Sequence, residues 1–338
     1  MIELAQRLIA GDRRALARLL SHVENEREGV EQALAVLFAH TGRAYVVGVT
    51  GAPGTGKSSL VNALAKACRA RGQTVGILAV DPTSPFTGGA ILGDRIRMRD
   101  LAGDGGVFIR SMATRGSLGG LARAARDAVR LLDAAGFDLV LVETVGAGQS
   151  EVEIARAAHT TLVVEAPGLG DDVQAIKAGM LEIADVLVVN KADRPGAVNT
   201  VRALKAMLEL GHPAARSQMI SHHGRLMPAA APVNGEENAA LWIPPVVQTV
   251  ATEDQGIGEL LAALDAHRAY LAGGEALARR EREQIAIELT DRLRDTLLAE
   301  ALAALPPAAL AALAEQVQAR ELDPQGAVQR LLAALPGR

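Results

Sequence analysis

The chain has 338 residues, of which 49% are hydrophobic, and its formal net charge is −4. This length allows one large α/β domain with smaller appendages and excludes two full enzymes of ordinary size. The nearly balanced charge, without a basic stripe, speaks against a nucleic-acid-binding protein, and the single cysteine excludes an internal disulfide and a thiolate metal cage.

No part of the sequence predicts insertion into a membrane. No apolar run approaches the roughly 18 residues that a spanning helix needs. Near the N-terminus, Leu4, Leu8 and Ile9 alternate with charged residues, whereas a secretory signal needs a continuous apolar core and a transit peptide avoids acids. We therefore expect a cytoplasmic protein whose partners include neither a membrane nor a nucleic acid.

Residues 1–43 are predicted to form an N-terminal helical segment. Apolar residues recur there at helical spacing, for example at Leu16, Leu19 and Leu20. The turn at Thr41 and Gly42 marks a change of pattern, because short β-branched runs begin directly after it.

From residue 44 to residue 272, short β-branched runs alternate with longer helical segments. The runs are almost continuously hydrophobic, which is typical of strands that are buried on both faces. We therefore predict a three-layer α/β domain with a mostly parallel sheet and helices on each side. The seven predicted strands are 45–50, 74–80, 107–110, 139–143, 161–165, 186–190 and 246–250.

From residue 273 to residue 338 the pattern is helical only. Helices are predicted over 284–305 and 308–317, and a last one begins where Asp323 caps and Pro324 occupies the first turn. These helices carry much Leu and Ala and are too few to bury it among themselves. They are expected either to pack on the main domain or to form a subunit interface.

A glycine-rich loop lies between the first predicted strand and the helix that follows it. Glycines let the backbone fold around an anion with its N–H groups pointing inward, and the helix N-terminus adds partial positive charge. Lys57 is placed to reach the β- and γ-phosphates of a nucleotide, and the Ser58 hydroxyl to ligate Mg²⁺. We therefore predict a phosphate-binding loop (P-loop) made of Gly51, Ala52, Pro53, Gly54, Thr55, Gly56, Lys57, Ser58 and Ser59.

The segment from Asn190 to Asp193 lies at the carboxyl end of the sixth predicted strand. There the Asp193 carboxylate can accept hydrogen bonds from N1–H and the exocyclic amine of guanine, whereas adenine offers neither donor and would leave the carboxylate unpaired. Lys191 would lie along the base plane, and Asn190 would brace the loop. The sequence therefore predicts GTP and GDP as the ligands.

A second contact with the base is predicted after the last strand. The candidate residues are Val250, Ala251 and Thr252, where the backbone N–H of Ala251 would meet the guanine oxygen. Many GTPases have Ser at the position of Val250, so this chain departs from the usual pattern there.

Acidic residues near the ends of two other predicted strands indicate where the metal ion binds. Glu143 ends one of them and Asp81 follows another, which places both beside the phosphates, and Asp94 is a third candidate. We expect Mg²⁺ to be held by Ser58, Asp81, Asp94 and Glu143. We expect the catalytic residues to be Lys57, Asp94, Glu143 and Gly146, the last through its N–H to the γ-phosphate.

The sequence also predicts slow hydrolysis by the isolated protein. Ras-like enzymes place a water-positioning glutamine directly after the glycine at this point, whereas here Gly146 is followed by Ala147. No arginine finger can be assigned either. The expected rate is within a few decades of the ~10⁻⁴ s⁻¹ of unassisted Ras.

Five sequence runs extend over much of the chain. They are GVTGAPGTGKS at 48–58, AVDPTSPFTGGAILGDRIRM at 79–98, GFDLVLVETVGAGQSE at 136–151, PGLGDDVQAIKAG at 167–179 and NKAD at 190–193. Together they resemble one family, the MeaB/ArgK-type GTPases of the SIMIBI class of P-loop GTPases. Nearly the whole chain is covered by the resemblance, and the second and fourth runs are peculiar to this family.

The resemblance implies a chaperone of methylmalonyl-CoA mutase or a related adenosylcobalamin-dependent acyl-CoA mutase. Family members gate the transfer of adenosylcobalamin and protect the mutase from inactivation. Asp81, Asp94 and Glu143 match the family's catalytic and magnesium-site acids. A switch loop that communicates with the mutase matches residues 167–177, with Asp171, Gln174 and Lys177 as the implied contacts, and the C-terminal helices resemble a dimerisation arm, which implies a homodimer.

Two other functions are compatible with parts of the pattern. A small-molecule or transport-linked kinase is an older description of this family, but it would need ATP, which Asp193 disfavours. A nickel-type metallochaperone GTPase shares the P-loop and the glutamate. Such proteins normally carry ligands rich in Cys or His, however, and this chain has one Cys and scattered His.

Overall fold

The structure is a computed structural model that describes residues 1–81, 99–101, 103–113, 120–144, 157–168, 183–211, 219–222, 225–228 and 242–335. For residues 81, 99, 113, 120–122, 210–211, 219–222 and 225–228 it describes the backbone alone. The chain divides into two compact units, Met1–Leu277 and Ala278–Arg338. The predicted domain boundaries after residues 43 and 272 stay predictions.

A seven-stranded sheet in which every neighbouring pair is parallel forms the centre of the first unit. Its strand order is β3-β2-β4-β1-β5-β6-β9, and β7 and β8 form a separate antiparallel hairpin that the sequence did not predict. The strands are β1 (Tyr45–Thr50), β2 (Val75–Asp81), β3 (Val107–Ala113), β4 (Leu139–Thr144), β5 (Thr160–Glu165), β6 (Val186–Asn190), β7 (Met219–His222), β8 (Arg225–Pro228) and β9 (Val246–Thr249).

Helices cover both faces of this sheet, which confirms the predicted three-layer α/β fold. The described helices of the first unit are α1 (Ile2–Ile9), α2 (Arg13–Glu24), α3 (Val30–Phe38), α4 (Lys57–Ala70), α5 (Gly120–Ala134), α6 (Ala197–Gly211) and α7 (Ile257–Ala272), with a 3₁₀ turn at Arg99–Leu101. Every residue of β1, β4 and β6 is buried, because strands covered on both faces have no solvent side.

Each face of the sheet has its own hydrophobic core. One face packs against α4 and α7, with Leu60 and Leu64 of α4 fully buried. The opposite face packs against α1, α2, α3 and α5, where Leu16 and Leu131 are buried. A smaller cluster joins α6 to β5 and β6 through Leu204. The N-terminal helices therefore form part of one outer layer of the first unit.

A buried carboxylate fixes the chain where it enters β1. The side chain of Asp133 accepts hydrogen bonds from the backbone N–H groups of Gly42 at 2.5 Å, Arg43 at 3.1 Å and Ala44 at 2.9 Å. Asp133 lies near the end of α5, so this helix and the start of the central strand hold each other in place. The P-loop directly follows β1, so its position depends on this contact as well.

Aromatic residues gather at the amino ends of the strands, opposite the P-loop. The hydroxyl groups of Tyr45 and Thr160, each the first residue of its strand, are hydrogen-bonded, and Thr160 Oγ1 lies 2.7 Å from Nδ1 of buried His267 on α7. Trp242 packs its ring 4.7 Å from His267 and 5.4 Å from Tyr270, measured between centroids. The single tryptophan and both tyrosines of the chain therefore lie in this cluster.

The second unit begins within α8 (Ala276–Ala304) and also holds α9 (Ala309–Gln318) and α10 (Pro324–Ala333). As predicted, Asp323 caps α10, because its side chain accepts the N–H of Gly326 at 3.0 Å. Among the described residues, no single helix has the length and apolar character to cross a membrane, although α8 and α9, bent by 94°, satisfy that test together by length and composition alone.

The single cysteine provides a test of this packing. Cys68 lies on α4 with 2% of its surface exposed, and burial raises the pKa of its thiol from 9.0 to about 11. Because only the thiolate reacts, we expect alkylation by iodoacetamide at pH 8 to be at least roughly 100-fold slower in the folded protein than in urea. Mass spectrometry of timed samples would measure the rates, and equal rates in both states would contradict the buried position.

Candidate functional site

The backbone at 51–56 needs glycine at specific positions. Gly51 has φ +140°, and Gly56, which directly precedes α4, has φ +91°. A Cβ atom at residue 51 would lie 2.0 Å from the carbonyl oxygen of Val164 on β5, and one at residue 56 would lie 2.5 Å from Nδ2 of Asn190. Only glycine lets the P-loop pass this close to its neighbours.

Lys57 is the first residue of α4, and its ammonium group lies within the P-loop. Its Nζ donates hydrogen bonds to the carbonyl oxygens of Gly51 at 2.6 Å and Ala52 at 3.0 Å, and only 6% of the residue is exposed. A buried cation and a helix N-terminus at one end of a glycine-rich loop make an anion-binding site. The geometry therefore suits phosphate groups.

Ser58 and Glu143 lie side by side next to this loop. The hydroxyl of Ser58 donates to Oε1 of Glu143 at 2.6 Å, and the residues are 5% and 1% exposed. β4 brings Glu143 to this place, because it pairs with β1 in a register that sets Glu143 opposite Val49. The sequence predicted both as Mg²⁺ ligands, and the structure brings them together.

The donor set at this point fits Mg²⁺. Mg²⁺ prefers hard oxygen ligands, keeps several of its waters and is usually held by one or two carboxylates, and Glu143 with the Ser58 hydroxyl supplies such oxygens. Within the described ranges, no group of three or more His, Cys, Asp or Glu side chains is placed to hold a metal ion.

Several predicted residues lie at or beyond the limits of the described structure. Asp81 is the last residue of β2, and β2 lies beside β4 in a register that sets Ala79 opposite Glu143, but the side chain of Asp81 is not described. Five other predicted site residues lie wholly outside the described residues: Asp94, Gly146, Asp171, Gln174 and Lys177.

The side chain of Asn190 joins the P-loop to the end of β9. Its Nδ2 donates to the carbonyl oxygen of Thr55 at 2.8 Å, while its Oδ1 accepts from Thr249 Oγ1 at 3.1 Å and from the N–H of Ala251 at 3.2 Å. Asn190 is 2% exposed. The sequence predicted that Asn190 braces the loop but missed Thr249, a polar residue at the end of an apolar strand.

Lys191 makes a second connection between the two segments. It has a left-handed backbone with φ +57°, and its Nζ donates to the carbonyl oxygen of Gly54 at 2.6 Å. The next residue is fixed as well, because the N–H of Ala192 donates to the carbonyl oxygen of Thr249 at 3.0 Å. Asp193 is exposed at the end of this turn, where its carboxylate is open to a ligand.

The segment after β9 is partly buried. Val250 and Ala251 are 5% and 8% exposed, and Thr252 is exposed. The N–H of Ala251, predicted to meet the guanine oxygen, here donates to Asn190. β9 ends at Thr249, one residue earlier than predicted, and Val250 forms a bridge with Gln255.

Ion pairs hold the far end of α4 to the chain that leads into β3. Lys66 Nζ lies 2.7 Å from Oδ2 of Asp100, and Arg69 binds Asp104 through two hydrogen bonds of 2.8 and 3.0 Å. The Lys66 ammonium keeps the pKa of Asp100 below its usual value, and the Arg69 guanidinium does the same for Asp104. The helix that carries Lys57 and Ser58 is thereby anchored at both ends.

Several known proteins are similar to this chain in sequence or in fold. The family model described as methylmalonyl Co-A mutase-associated GTPase MeaB matches residues 16–305. A putative GTPase of Pyrococcus abyssi is 44% identical over 335 residues, which cover 99% of this chain and 97% of that protein. The mitochondrial methylmalonic aciduria type A homolog of Caenorhabditis elegans is 30% identical over 316 residues, covering 88% of this chain and 73% of that protein.

The fold comparison agrees with the sequence comparison. A crystal structure of a LAO/AO transport system kinase superposes with a TM-score of 0.68 and 26% identity, covering 98% of this chain and 96% of that chain. This match confirms the P-loop NTPase fold that the sequence predicted.

The connection made by Asn190 is testable without any ligand. Asn190→Ala removes hydrogen bonds to Thr55, Thr249 and Ala251 and leaves buried groups unpaired, so we expect a loss of about 1–3 kcal/mol in the free energy of unfolding. Urea unfolding of the nucleotide-free protein measures it. Asn199→Ala, at an exposed position on α6, is the matched control and should change it by less than about 0.5 kcal/mol. Equal effects of the two variants would refute the role of Asn190.

Proposed function

The chain belongs to the family of methylmalonyl-CoA mutase-associated GTPases, and on that premise we propose that it is a chaperone of an adenosylcobalamin-dependent acyl-CoA mutase. In this proposal GTP binding and hydrolysis regulate how the mutase is loaded with its cofactor and protected. One observation carries the GTP part: Asn190 and Lys191 tie the predicted base-reading segment to the P-loop through direct hydrogen bonds.

We assign the triphosphate to the P-loop and the base to Asp193. The N–H groups of 51–56 and the ammonium of Lys57 bind the phosphate oxygens, which replace Gly51 and Ala52 as partners of Nζ. Asp193 accepts the two N–H donors of guanine, and Ala251 and Thr252 line the same end of the site. ATP is rejected because adenine leaves the carboxylate desolvated without a donor.

Hydrolysis needs an oriented water and stabilised charge on the phosphates. When bound, Mg²⁺ neutralises phosphate charge, and Ser58 and Glu143 are the described residues that would hold it, together with Asp81. In this proposal the Glu143 carboxylate also orients the attacking water. We propose that the isolated protein hydrolyses GTP slowly, because Ala147 is found where a water-positioning glutamine would follow Gly146.

Regulation requires that the mutase bind the GTP and GDP states with different affinity, because a ligand shifts an equilibrium only through differential binding. By resemblance we assign this contact to the segment with Asp171, Gln174 and Lys177. In other nucleotide switches, the γ-phosphate holds switch segments in one arrangement and hydrolysis releases them. In this proposal the same segment, held by the γ-phosphate and released on hydrolysis, connects the P-loop to the mutase.

We also propose that the C-terminal helices form a homodimer contact. Along α8, apolar side chains recur every four residues and are between 54% and 63% exposed: Ile285, Leu289, Leu293 and Leu297. Four-residue spacing places them on one side of the helix. A second copy of this chain would bury that stripe with an identical one.

The role of Asp193 predicts a change of base specificity. Asp193→Asn keeps an acceptor for N1–H but turns an N–H donor towards the exocyclic amine, so GTP affinity should fall by roughly 10- to 100-fold. Xanthosine triphosphate, which has a carbonyl oxygen at that position, should gain affinity. Calorimetric titration with GTP, ATP and xanthosine triphosphate measures this. Asp265→Asn, at a side chain that is 62% exposed on α7, should leave all three affinities unchanged.

Two results would contradict this assignment. One is a wild-type protein that binds ATP as tightly as GTP. The other is an Asp193→Asn variant whose preference for GTP over xanthosine triphosphate is unchanged.

The partner is tested by titrating this chain with the methylmalonyl-CoA mutase of the same organism in the presence of GTP or GDP. The two affinities should differ by roughly 5- to 150-fold, the usual range of coupling between sites. Lys57→Ala should abolish the difference, because it removes the phosphate ligand. Light scattering of the complex also counts the copies of this chain.

Equal affinity with both nucleotides, or no complex, would contradict the chaperone role and leave the GTPase activity untouched. Transfer of labelled phosphate to a metabolite instead of water would favour the kinase.

A further inference from the structure

Within the described ranges, two buried polar atoms near the Ser58–Glu143 pair lack a hydrogen-bond partner. Oδ1 of Asn62 and Oγ of Ser111 are buried and have no hydrogen-bond partner in the described part of the chain. Buried polar atoms nearly always have partners, because an unpaired one costs free energy. Both of these oxygen atoms can accept a hydrogen bond, so a ligand that satisfies them has to supply hydrogen-bond donors.

Asn62 lies on the side of α4 that faces the site. It follows Ser58 by four residues and precedes Lys66 by four, so the three side chains share one side of the helix. At one end of this row Ser58 donates to Glu143 on β4, and at the other Lys66 binds Asp100, just before β3. Asn62 therefore lies between these two contacts, on the face of the sheet where β2 separates β4 from β3.

Ser111 reaches the same region from the sheet. In the register of the strands, Ser111 on β3 is opposite Ala79 on β2, and Ala79 is opposite Glu143 on β4. Ile109, two residues earlier on β3, packs on the cluster that contains Leu64 of α4, so Ser111 faces α4 as well. Two strand spacings separate Ser111 from Glu143 by about 10 Å, and the residue between them, Ala79, carries only a methyl group.

From this geometry we propose that Asn62 and Ser111 are positioning residues that accept hydrogen bonds from the water shell of Mg²⁺ bound at Ser58 and Glu143. The inference rests on the proposed function, since it needs the metal at that site. Mg²⁺ gives up its waters reluctantly and keeps several of them in protein sites. Those waters are hydrogen-bond donors, and the two unsatisfied atoms are an amide oxygen and a hydroxyl oxygen. Groups that hold a metal's outer shell set its affinity.

If these residues position the metal, substitutions should change the affinity for Mg²⁺ without lowering the stability of the nucleotide-free protein. A purely structural role would change both together. Ser111→Ala removes a buried hydroxyl that has no partner among the described residues, so the nucleotide-free protein should be as stable as the wild type or more stable. The same substitution should weaken Mg²⁺ binding. Ser111→Thr keeps the hydroxyl and should restore the affinity for the metal.

The experiment uses the full chain loaded with a fluorescent GDP analogue and measures the Mg²⁺ concentration that half-maximally slows its dissociation. Asn62→Ala and Ser111→Ala should each raise this concentration roughly 10- to 100-fold, while affinity for the analogue in EDTA stays at the wild-type value. The controls are Ser21→Ala, whose hydroxyl donates to Ala17 on α2, and the exposed Asn199→Ala. Neither should shift it.

The possible failures are distinguishable. If dissociation from the wild-type protein does not depend on Mg²⁺, the metal site of the proposed function is wrong. If the wild type depends on Mg²⁺ and both alanine variants stay within twofold of it, the positioning role is refuted. Variants that lose stability in urea in parallel with Mg²⁺ affinity, without recovery in Ser111→Thr, would also refute it.

Discussion

The amide of Asn190 is the interaction on which the nucleotide site depends. Its nitrogen is bonded to the P-loop at Thr55 and its oxygen to Thr249 and Ala251 at the end of β9. These three segments are far apart in the sequence, and the amide has one donor end and one acceptor end. This rigid, buried amide, together with the second connection through Lys191, therefore sets the distance between the predicted phosphate-binding loop and the turn predicted to bind the base.

The order of the strands explains how one amide can contact both the P-loop and the end of β9. β1 lies in the middle of the sheet, with β4 on one side and β5, β6 and β9 on the other. Because all seven strands are parallel, their carboxyl ends meet at one edge, where ligands bind in such sheets. Glu143, Asn190 and Thr249 each come from a strand end at that edge. The helices on both faces keep that edge in place, and the carboxylate of Asp133 fixes β1 at its opposite, amino end.

The sequence predicted most of the fold because its signals are local. Buried parallel strands read as short apolar runs, and all seven predicted strands begin within one residue of their observed first residue. The sixth run even has the same bounds, Val186–Asn190. The hairpin of β7 and β8 was missed, because neither Met219–His222 nor Arg225–Pro228 contains a continuous β-branched run.

The sequence predicts the candidate site only where a short motif marks it. Short patterns indicate the P-loop, Asn190, Lys191 and Asp193, because each residue type serves one chemistry at a fixed spacing. Thr249, Asn62 and Ser111 belong to no motif, and only the register of the strands and the turns of α4 bring them near. The bond that occupies the N–H of Ala251 also joins distant parts of the chain, which no local pattern reveals. Asp94, Gly146 and the segment with Lys177 stay predictions.

The aromatic cluster at the amino ends of the strands has a spectroscopic consequence. β1 has six residues, so Tyr45 and the P-loop are separated by about 20 Å along the strand. Trp242 and both tyrosines lie at the end remote from the P-loop, so the intrinsic ultraviolet emission of the first unit originates far from bound guanine. A change in that emission on nucleotide binding would report strain transmitted through the length of the central strands, and not quenching by the base.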